Sequence, residues 1–578
     1  MAQASQQSAR IPEGPRRTWW NARFKFAFLF GAAMVTLGWL LYSPALNGGF
    51  VLDDLALPVG AARGSHSLAG WASTSRPLLM LSYKLNSMLL GGEPLSYHAV
   101  NLLIHTVNSC LVFIVLTRLL QMCGWTGNKT RFAACAGSLI FLIHPLQTES
   151  VSYIAGRSES LASFFLVAAY IVFLYRPGDA ISWRRAMTVL VIFALAVKTK
   201  ENAVSLAGVL FLTDLTFPVP FSLEGPRKNW RLYVLMLPGA VIAAIGIFRA
   251  LATAATAGFA ITTFKWYQYA FTEARALFTY MRLAIFPIGQ SLDHDFAMSR
   301  KITQHGTLLC IALLIVLLAA AIRWRRRYPL ACFGFLMFLA WLAPTSTIVP
   351  VSDALVERRM YLALIGLILI GCDAIDHLKL SRPVMACVVS AMAVTFGGFC
   401  YARNQLWATP ELLIAEAAKD AKNNPRPLLN VSELLIKHNR CELALPYLKR
   451  AEQMLPDNYF VNASWGRALA CLGHPDQGLR HLQAAAQIQP SSQVYLWIGL
   501  VYGQMGRSAD AGLVLQEAVR RDPSSAAAHG ALALWYESIG AYPEAAREYK
   551  TNVSLDPDDK TARESLLRVT SSVPNPGE

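Results

Sequence analysis

Two adjacent carboxylates, Asp53 and Asp54, end the stretch GGFVLDD directly after the first long apolar run of the sequence. They open a segment of about fifty residues that is too polar to remain in lipid. A carboxylate held at a membrane surface can act as a general base on a substrate that the bilayer delivers. The pair alone fits a solvated turn equally well, so the rest of the chain has to distinguish the two interpretations.

Further charged residues lie against apolar sequence on the same predicted membrane face as the acidic pair. A single charge beside a membrane span is usually an anchor whose side chain reaches the headgroups. When many such charges lie on one membrane face, a catalytic or binding site is favoured over anchoring alone. The set comprises Asp53, Asp54, Glu149, Arg157, Glu159, Lys198, Lys200, Glu201, Asp293, Asp295, Glu357, Arg358 and Arg359.

The composition predicts a polytopic membrane protein. Of the 578 residues, 54% are hydrophobic and only 15% are charged, whereas soluble domains carry about 25% charged residues. Several apolar runs approach the roughly 20 residues that cross a bilayer as a helix. The first run is longer than the roughly 7–15 apolar residues of a cleavable signal peptide, so it is predicted to remain as a span.

The net charge of +16 does not indicate a nucleic-acid-binding protein. The basic residues lie in short loops between apolar runs, where the positive-inside rule places them. No cysteine, histidine or carboxylate spacing is typical of a metal site, so the sequence predicts neither a metal nor another cofactor.

About eleven helical spans are predicted to position the charged residues. A basic cytoplasmic tail, 1–23, precedes a membrane domain, 24–403. Alternating basic loops place the acidic pair and the C-terminus on the non-cytoplasmic face. The spans lie near 24–43, 97–120, 132–146, 158–175, 185–199, 202–217, 232–250, 304–322, 329–345, 360–376 and 383–401.

The composition changes to that of a soluble domain after about residue 404. Four prolines, from Pro456 to Pro557, recur at spacings of 34, 33 and 34, and a glycine recurs in register with them. This period predicts about four tetratricopeptide repeats over 425–568, joined by a linker helix at 404–424 and followed by a disordered tail at 569–578. Cys441 and Cys471 fall in adjacent repeats, where a disulfide between them is one open possibility.

The chain resembles the transmembrane-and-tetratricopeptide protein O-mannosyltransferases and their bacterial relatives, which have the C-type glycosyltransferase fold. The resemblance covers nearly the whole chain and implies an all-α protein, a helical membrane domain followed by an α-solenoid. It rests on the motifs GGFVLDD, SRPLLMLSYKLN, YHAVNLLIH, HPLQTESVSYIAGRSES, KTKEN, MRLAIFPIGQSLDHDF, LAPTSTIVPVSDALVERRMYL and RNQLW.

The resemblance implies an inverting transfer of a sugar, mannose by analogy, from a polyprenyl phosphate to a protein Ser or Thr hydroxyl. It also implies that an acidic residue of the first outer loop, here Asp53 or Asp54, is the catalytic base. Cations must then stabilise the departing phosphate, a role that suits a guanidinium. The candidates are Arg157, Lys200, Arg358 and Arg359.

Four acidic residues are candidates for contacts with the sugar or the acceptor: Glu149, Glu159, Asp293 and Asp295. For Glu149 and Glu159, pairing with Arg157 is the default expectation. The aromatic-rich stretch 258–287 is predicted to contain an interfacial helix that lies on the bilayer and contacts membrane lipids. The same stretch could form a wall that guides the lipid carrier, and the two interpretations are compatible.

Two other functions remain open at this point. In the first, the enzyme acts on a lipid or cell-envelope glycan, and the repeats recruit partners instead of holding an acceptor polypeptide. The chain would be a membrane scaffold without activity if the charged residues are only anchors. The membrane is either a bacterial inner membrane or the endoplasmic reticulum.

Overall fold

The computed structural model describes residues 16–57, 75–217, 221–239, 264–347, 349–419, 421–557 and 559–572. All regular elements within these ranges are helices, so the predicted all-α class is confirmed. The helices before the repeats include α1 Arg16–Tyr42, α2 Pro77–Leu90, α3 Pro94–Met122, α4 Gly127–Ile143, α5 Arg157–Leu174, α6 Trp183–Thr199, α7 Ser205–Thr216, α8 Trp266–Ile285, α9 Thr307–Arg323, α10 Pro329–Leu342, α11 Met360–His377 and α12 Arg382–Trp407.

Six helical segments of the described residues are long and apolar enough to cross a membrane, so the predicted count of about eleven is not confirmed. The shorter helix α10 is also apolar. The seventh predicted span, 232–250, lies only partly within the described residues, of which 230–239 are helical. The six segments are Lys25–Asn47, Pro94–Met122, Ile154–Leu174, Gln304–Arg323, Glu357–His377 and Arg382–Trp407.

Glycine allows two of the membrane helices to approach closely. A Cβ atom on Gly334 of α10 would lie 2.4 Å from the carbonyl oxygen of Gly366 in α11, and a Cβ on Gly366 would lie 2.3 Å from that of Gly334. Membrane helices associate largely through such close packing, since lipid provides no hydrophobic drive between them. Larger side chains, such as Phe141, Phe333 and Phe338, fill the buried core on either side.

The second part of the chain is a stack of helix pairs. A glycine or asparagine with positive φ, at Asn439, Gly473, Gly506 and Gly540, turns the chain between the two helices of each pair, and these are the positions that the period predicts. The helices are α13 Pro410–Lys419, α14 Arg426–Lys437, α15 Cys441–Met454, α16 Tyr459–Cys471, α17 Pro475–Ile488, α18 Ser492–Gln504, α19 Ser508–Arg521, α20 Ala526–Ser538, α21 Tyr542–Leu555 and α22 Lys560–Ser572.

A disulfide joins the first two repeats. Cys441 and Cys471 are bonded, with their Cα atoms 6.3 Å apart, within the usual range of about 4.4–6.8 Å. The pairing that the sequence leaves open is therefore present in the structure.

Candidate functional site

Residues 144–160, here called the outer segment, form the centre of the candidate site. Two 3₁₀ turns and one short α-helical turn lead from His144 into α5, and almost every residue of the segment is buried. Gly156 is required by this compact path, because a Cβ there would lie 2.5 Å from the carbonyl oxygen of Glu149. Tight local packing thus fixes the charged side chains of the outer segment.

The structure gives the two acidic residues different surroundings. Asp54 is only 1% exposed, and its carboxylate accepts backbone N–H groups from Val51 at 3.0 Å and Ala155 at 2.7 Å. Burial raises the pKa of Asp54 to about 7, although these N–H donors favour the ionised form. Asp53 is exposed. Asp54 therefore ties its loop to the outer segment, while the Asp53 carboxylate remains accessible.

The loop of the acidic pair also carries backbone strain. Leu52 has a φ of +45°, in the left-handed region that costs a non-glycine residue roughly 1–2 kcal/mol. The backbone N–H of Asp53 donates to the Tyr153 hydroxyl at 3.0 Å. Bonds from both acidic residues to the outer segment stabilise this conformation. Such strain persists only where the surroundings over-determine it, and it often marks a functional site.

Tyr153 belongs to the site, although the sequence predicts no role for it. It is 3% exposed, and its ring stacks on Trp407 with centroids 5.6 Å apart. A Cβ on Gly48 would lie 2.5 Å from the Trp407 carbonyl oxygen. The motifs GGFVLDD and RNQLW therefore meet at Tyr153. The only sequence signal for this contact is that both motifs belong to the same family resemblance.

Two predicted cations pair with the two glutamates of the outer segment. The guanidinium of Arg358 donates to Glu149 at 2.6 Å, and the Arg358 backbone N–H donates to the same carboxylate at 2.9 Å. Lys200 forms an ion pair with Glu159. The expected pairing of both glutamates with Arg157 is therefore wrong, because the chain brings Arg358 and Lys200 closer to them.

Arg76, from the motif SRPLLMLSYKLN, adds a third cation to this group. Its Nη2 lies 2.9 Å from Glu201. Burial lowers the pKa of Lys200; Glu159 opposes this shift, and the charges of Arg358 and Arg76 lower the pKa further. The three cations therefore lie close enough to interact, and each has one carboxylate partner.

Arg157 has a different environment from these three cations. It is 0% exposed, and its guanidinium donates to Asn101 at 2.7 Å, Asn86 at 2.8 Å and the Tyr97 carbonyl at 3.0 Å. It also lies 4.6 Å from the ring centroid of Tyr83. Its third nitrogen, Nη1, donates to the Ser82 carbonyl at 3.3 Å. Because protein atoms engage all three guanidinium nitrogens, this geometry favours a structural role over the predicted phosphate contact.

The side chain of Arg359 is only 8% exposed and lies beside the amphipathic helix α8. It donates to the carbonyls of Ala354 at 3.2 Å and Asp353 at 2.5 Å, and lies 3.7 Å from Glu273. Burial raises the pKa of Glu273 to about 7, with Arg359 acting in the opposite direction. Arg359 thus anchors α8, which covers 266–285 of the predicted interfacial stretch; residues 258–263 lie outside the described ranges.

Asp293 and Asp295 contact the start of the repeat domain. Asp293 accepts two N–H groups of Arg426, at 2.5 and 2.6 Å. Asp295 accepts the backbone N–H groups of Lys422 at 2.7 Å and Asn423 at 2.9 Å. These contacts favour a role for Asp293 and Asp295 in the interface between the membrane domain and the repeats over the predicted contact with sugar or acceptor.

Glu357 connects this interface between the domains to the cations Arg358, Lys200 and Arg76. It is 1% exposed and accepts hydrogen bonds from Gln290 at 2.6 Å and the Ser291 backbone N–H at 2.8 Å. His294 Nε2 lies 2.8 Å from the same carboxylate. The loop that binds Arg426 through Asp293 therefore also contacts the residue that directly precedes Arg358. Across the described ranges, no three His, Cys, Asp or Glu side chains are grouped to hold a metal ion.

Comparisons with known proteins support the family resemblance. No protein-family model matches the chain. The chain is 23% identical over 517 residues to the protein O-mannosyl-transferases TMTC3 of Homo sapiens and of Mus musculus, covering 82% of this chain and 54% of each relative. It is 29% identical over 205 residues to the protein O-mannosyl-transferase Tmtc1 of Drosophila melanogaster, covering 32% of this chain and 23% of the relative. The predicted resemblance is confirmed, and the chain spans about half the length of the first two relatives.

Among solved structures, the similarity is to tetratricopeptide proteins. A thermophilic TPR protein of Thermus thermophilus is 23% identical, with 30% of this chain and 93% of that chain covered and a TM-score of 0.27. YrrB, a TPR protein with an unusual peptide-binding site, is 17% identical, with 28% and 82% covered and a TM-score of 0.22.

Proposed function

We propose that this chain is a multi-pass membrane glycosyltransferase that transfers a sugar, mannose, from a polyprenyl phosphate to Ser or Thr hydroxyls of a polypeptide. The observation that carries the proposal is the outer segment, which ties the loop of an accessible carboxylate, Asp53, to two cations. The names of the relatives, protein O-mannosyl-transferases, support the sugar and the acceptor class.

Asp53 is the proposed general base. Its carboxylate is exposed, whereas Asp54 is buried and occupied by backbone donors. The acceptor hydroxyl loses its proton to Asp53 as its oxygen attacks the anomeric carbon. The bond from that carbon to the phosphate oxygen breaks on the opposite side, which inverts the configuration. The polyprenyl phosphate leaves with the bonding electrons.

Arg358 is the proposed main contact of the departing phosphate. Its side chain is 27% exposed, and only one of its guanidinium nitrogens has a protein partner among the described residues. The remaining N–H groups suit the two-pronged contact that guanidinium makes with phosphate. Lys200 and Arg76 add positive charge nearby, where negative charge grows in the transition state.

The repeats are proposed to hold the acceptor polypeptide on the non-cytoplasmic face. The pair of Arg426 and Asp293 fixes the first repeat against a loop that contacts Glu357. The Cys441–Cys471 disulfide and the positive-inside pattern both support this placement. The membrane is an inner membrane in a bacterium or the endoplasmic reticulum in a eukaryote.

The test uses the full-length protein in detergent, with labelled polyprenyl-phosphate mannose and a pool of exported host proteins. We expect label on protein with wild type, and a loss of at least 100-fold with Asp53→Asn without a change in thermal stability. Glu93→Gln, which alters another exposed carboxylate, is the matched control and should retain wild-type transfer.

Three outcomes would contradict parts of the proposal. Retained transfer in Asp53→Asn would remove Asp53 as the base. Label on a glycolipid or envelope glycan, with none on protein, would favour the alternative acceptor class. No transfer from any lipid-linked sugar, with variants that behave as wild type in cells, would favour a membrane scaffold.

A further inference from the structure

A long apolar groove runs between three helices of the predicted membrane domain, apart from the candidate site. It has a volume of about 1250 Å³ and lies between α4, α11 and α12, with residues 281–288 along one edge. Its wall is mostly hydrocarbon, including Phe132, Ile140, Ile368 and Phe396. Lining residues extend along α4 from Lys129 to His144, a distance of about 22 Å at 1.5 Å per residue, which is most of a hydrocarbon core of roughly 30 Å.

The charged lining residues lie at one end of this groove. Lys129, Lys379 and Arg382 provide three positive charges there, and Asp376 provides one negative charge. Lys129 forms an ion pair with Asp376 at 2.5 Å and lies 3.9 Å from the ring centroid of Trp125. The sequence predicts this end to be cytoplasmic, and tryptophan next to lysine is typical of a membrane–water interface.

The opposite end of the groove does not open among the candidate catalytic residues. His144 lines that end, and its Nε2 lies 2.9 Å from the Ala284 carbonyl oxygen. None of Asp53, Lys200 and Arg358 lines the groove. A ligand in the groove would therefore have its charged group near Lys379 and Arg382, far along the helices from the proposed phosphate contact.

We propose that this groove binds an anionic glycerophospholipid of the cytoplasmic leaflet. Its phosphate lies against Lys379 and Arg382, and one acyl chain follows the apolar wall between α4 and α11. Basic pockets between membrane helices on the cytoplasmic side bind anionic headgroups. Lys129 contributes less to the headgroup because Asp376 already neutralises it. The lipid would stabilise the packing of the three helices.

The test measures lipid binding and does not depend on sugar transfer. Full-length protein in detergent is titrated with phosphatidylglycerol or phosphatidylcholine of identical acyl chains, and bound lipid is counted by native mass spectrometry. We expect wild type to bind phosphatidylglycerol at least five-fold more tightly. The double variant Lys379→Ala with Arg382→Ala should lose this preference. The control is Arg323→Ala with Arg326→Ala, two exposed basic residues outside the groove.

A second pair of variants tests the acyl path. Gly371 lines the groove, and a Cβ there meets no atom within 4 Å. The backbone at this position therefore accepts a side chain, and Gly371→Trp should place an indole in the groove and reduce binding of both lipids at least five-fold. Gly398 on α12 is equally open but outside the groove, so Gly398→Trp should bind as wild type.

Any of three results would overturn the proposal. Equal binding of the two phospholipids, or equal losses in the control variants, would exclude a specific site for the anionic headgroup. Tighter binding of undecaprenyl phosphate than of phosphatidylglycerol, lost in Gly371→Trp, would instead make the groove a part of the donor site.

Discussion

The outer segment and the repeat domain both contain ion pairs, but they use charge differently. Glu149, whose side chain is 4% exposed, pairs with Arg358 across 209 residues of sequence. In the repeats, Arg547 pairs with Glu544 within one helical turn, and its side chain is 73% exposed. A buried, distant pair can hold a charge in a fixed place, whereas an exposed local pair is screened and contributes about 0–1 kcal/mol.

This difference indicates what determines each region. In the outer segment, ion pairs hold charges in fixed positions, and many residues from distant motifs are needed to hold them. In the repeats, small residues and turns determine the fold: a Cβ on Gly478 would lie 2.5 Å from the Gly466 carbonyl oxygen. Loss of a charge should therefore have large effects in the first region and small effects in the second.

The largest effect is expected for Arg358→Gln. Removing a group that stabilises transition-state charge reduces turnover by about 100- to 1,000-fold. Transfer of labelled sugar to protein measures this loss, and Lys301→Gln, at another exposed basic residue, should retain wild-type turnover. A loss below ten-fold in folded Arg358→Gln would show that the buried pair is only structural, and the contrast between the two regions would then fail.

Asp54 should make stability depend on pH. Burial raises its pKa from 3.8 to about 7, so between these values the folded protein holds a proton that the unfolded chain has released. The free energy of unfolding therefore falls as the pH rises from about 4 to about 7, on the order of 4 kcal/mol from this group. The pH dependence of thermal unfolding in detergent measures it.

The matched comparison for Asp54 uses two variants. Asp54→Asn should reduce the slope of Tm against pH. Near pH 4, where Asp54 is protonated in the folded protein, it should also lower Tm because an amide cannot accept both backbone N–H groups. Glu93→Gln should keep the wild-type slope. An unchanged slope in Asp54→Asn would mean that the contact between the loop of the acidic pair and the outer segment does not depend on a buried carboxylate.

Much of the fold could be predicted because it follows from local sequence. The turns at Gly473 and Gly506, and helices such as α3 and α11, depend on residues a few positions apart. Asp53 and Asp54 were singled out for the same reason, since adjacent carboxylates after an apolar run are visible in the sequence. The number of membrane spans is harder to predict, because apolar helices that pack inside a protein resemble those that cross a bilayer.

The partners within the site could not be predicted in the same way. Glu149 contacts Arg358 rather than Arg157, which is only eight residues away, because helix packing and not sequence distance decides which guanidinium is near. Apart from the motifs that contain them, nothing in the sequence predicts a role for Tyr153 or Arg76. Which of several arginines is buried is a property of the assembled helices.

The disulfide of the repeats should have the next largest effect. The double variant Cys441→Ser with Cys471→Ser removes a link across 30 residues, which costs on the order of 3 kcal/mol. Limited proteolysis of the full chain should cleave the first repeats at a lower denaturant concentration. In cells, a maleimide reagent of high mass should label these cysteines only after reduction. Labelling without reduction would place the repeats in a reducing compartment and contradict the proposed topology.

The smallest effect is expected for Arg467→Ala in the repeats. Arg467 pairs with Glu433, whose side chain is 51% exposed, and lies 4.5 Å from the ring centroid of Trp497. Loss of an exposed pair and one stacked cation should cost no more than about 1 kcal/mol. Urea unfolding of the repeats, followed by tryptophan fluorescence, measures the cost, and Arg547→Ala is the control with almost none. A cost as large as that of the disulfide would mean that charges determine the solenoid as they do the outer segment, and the two regions would then follow the same rule.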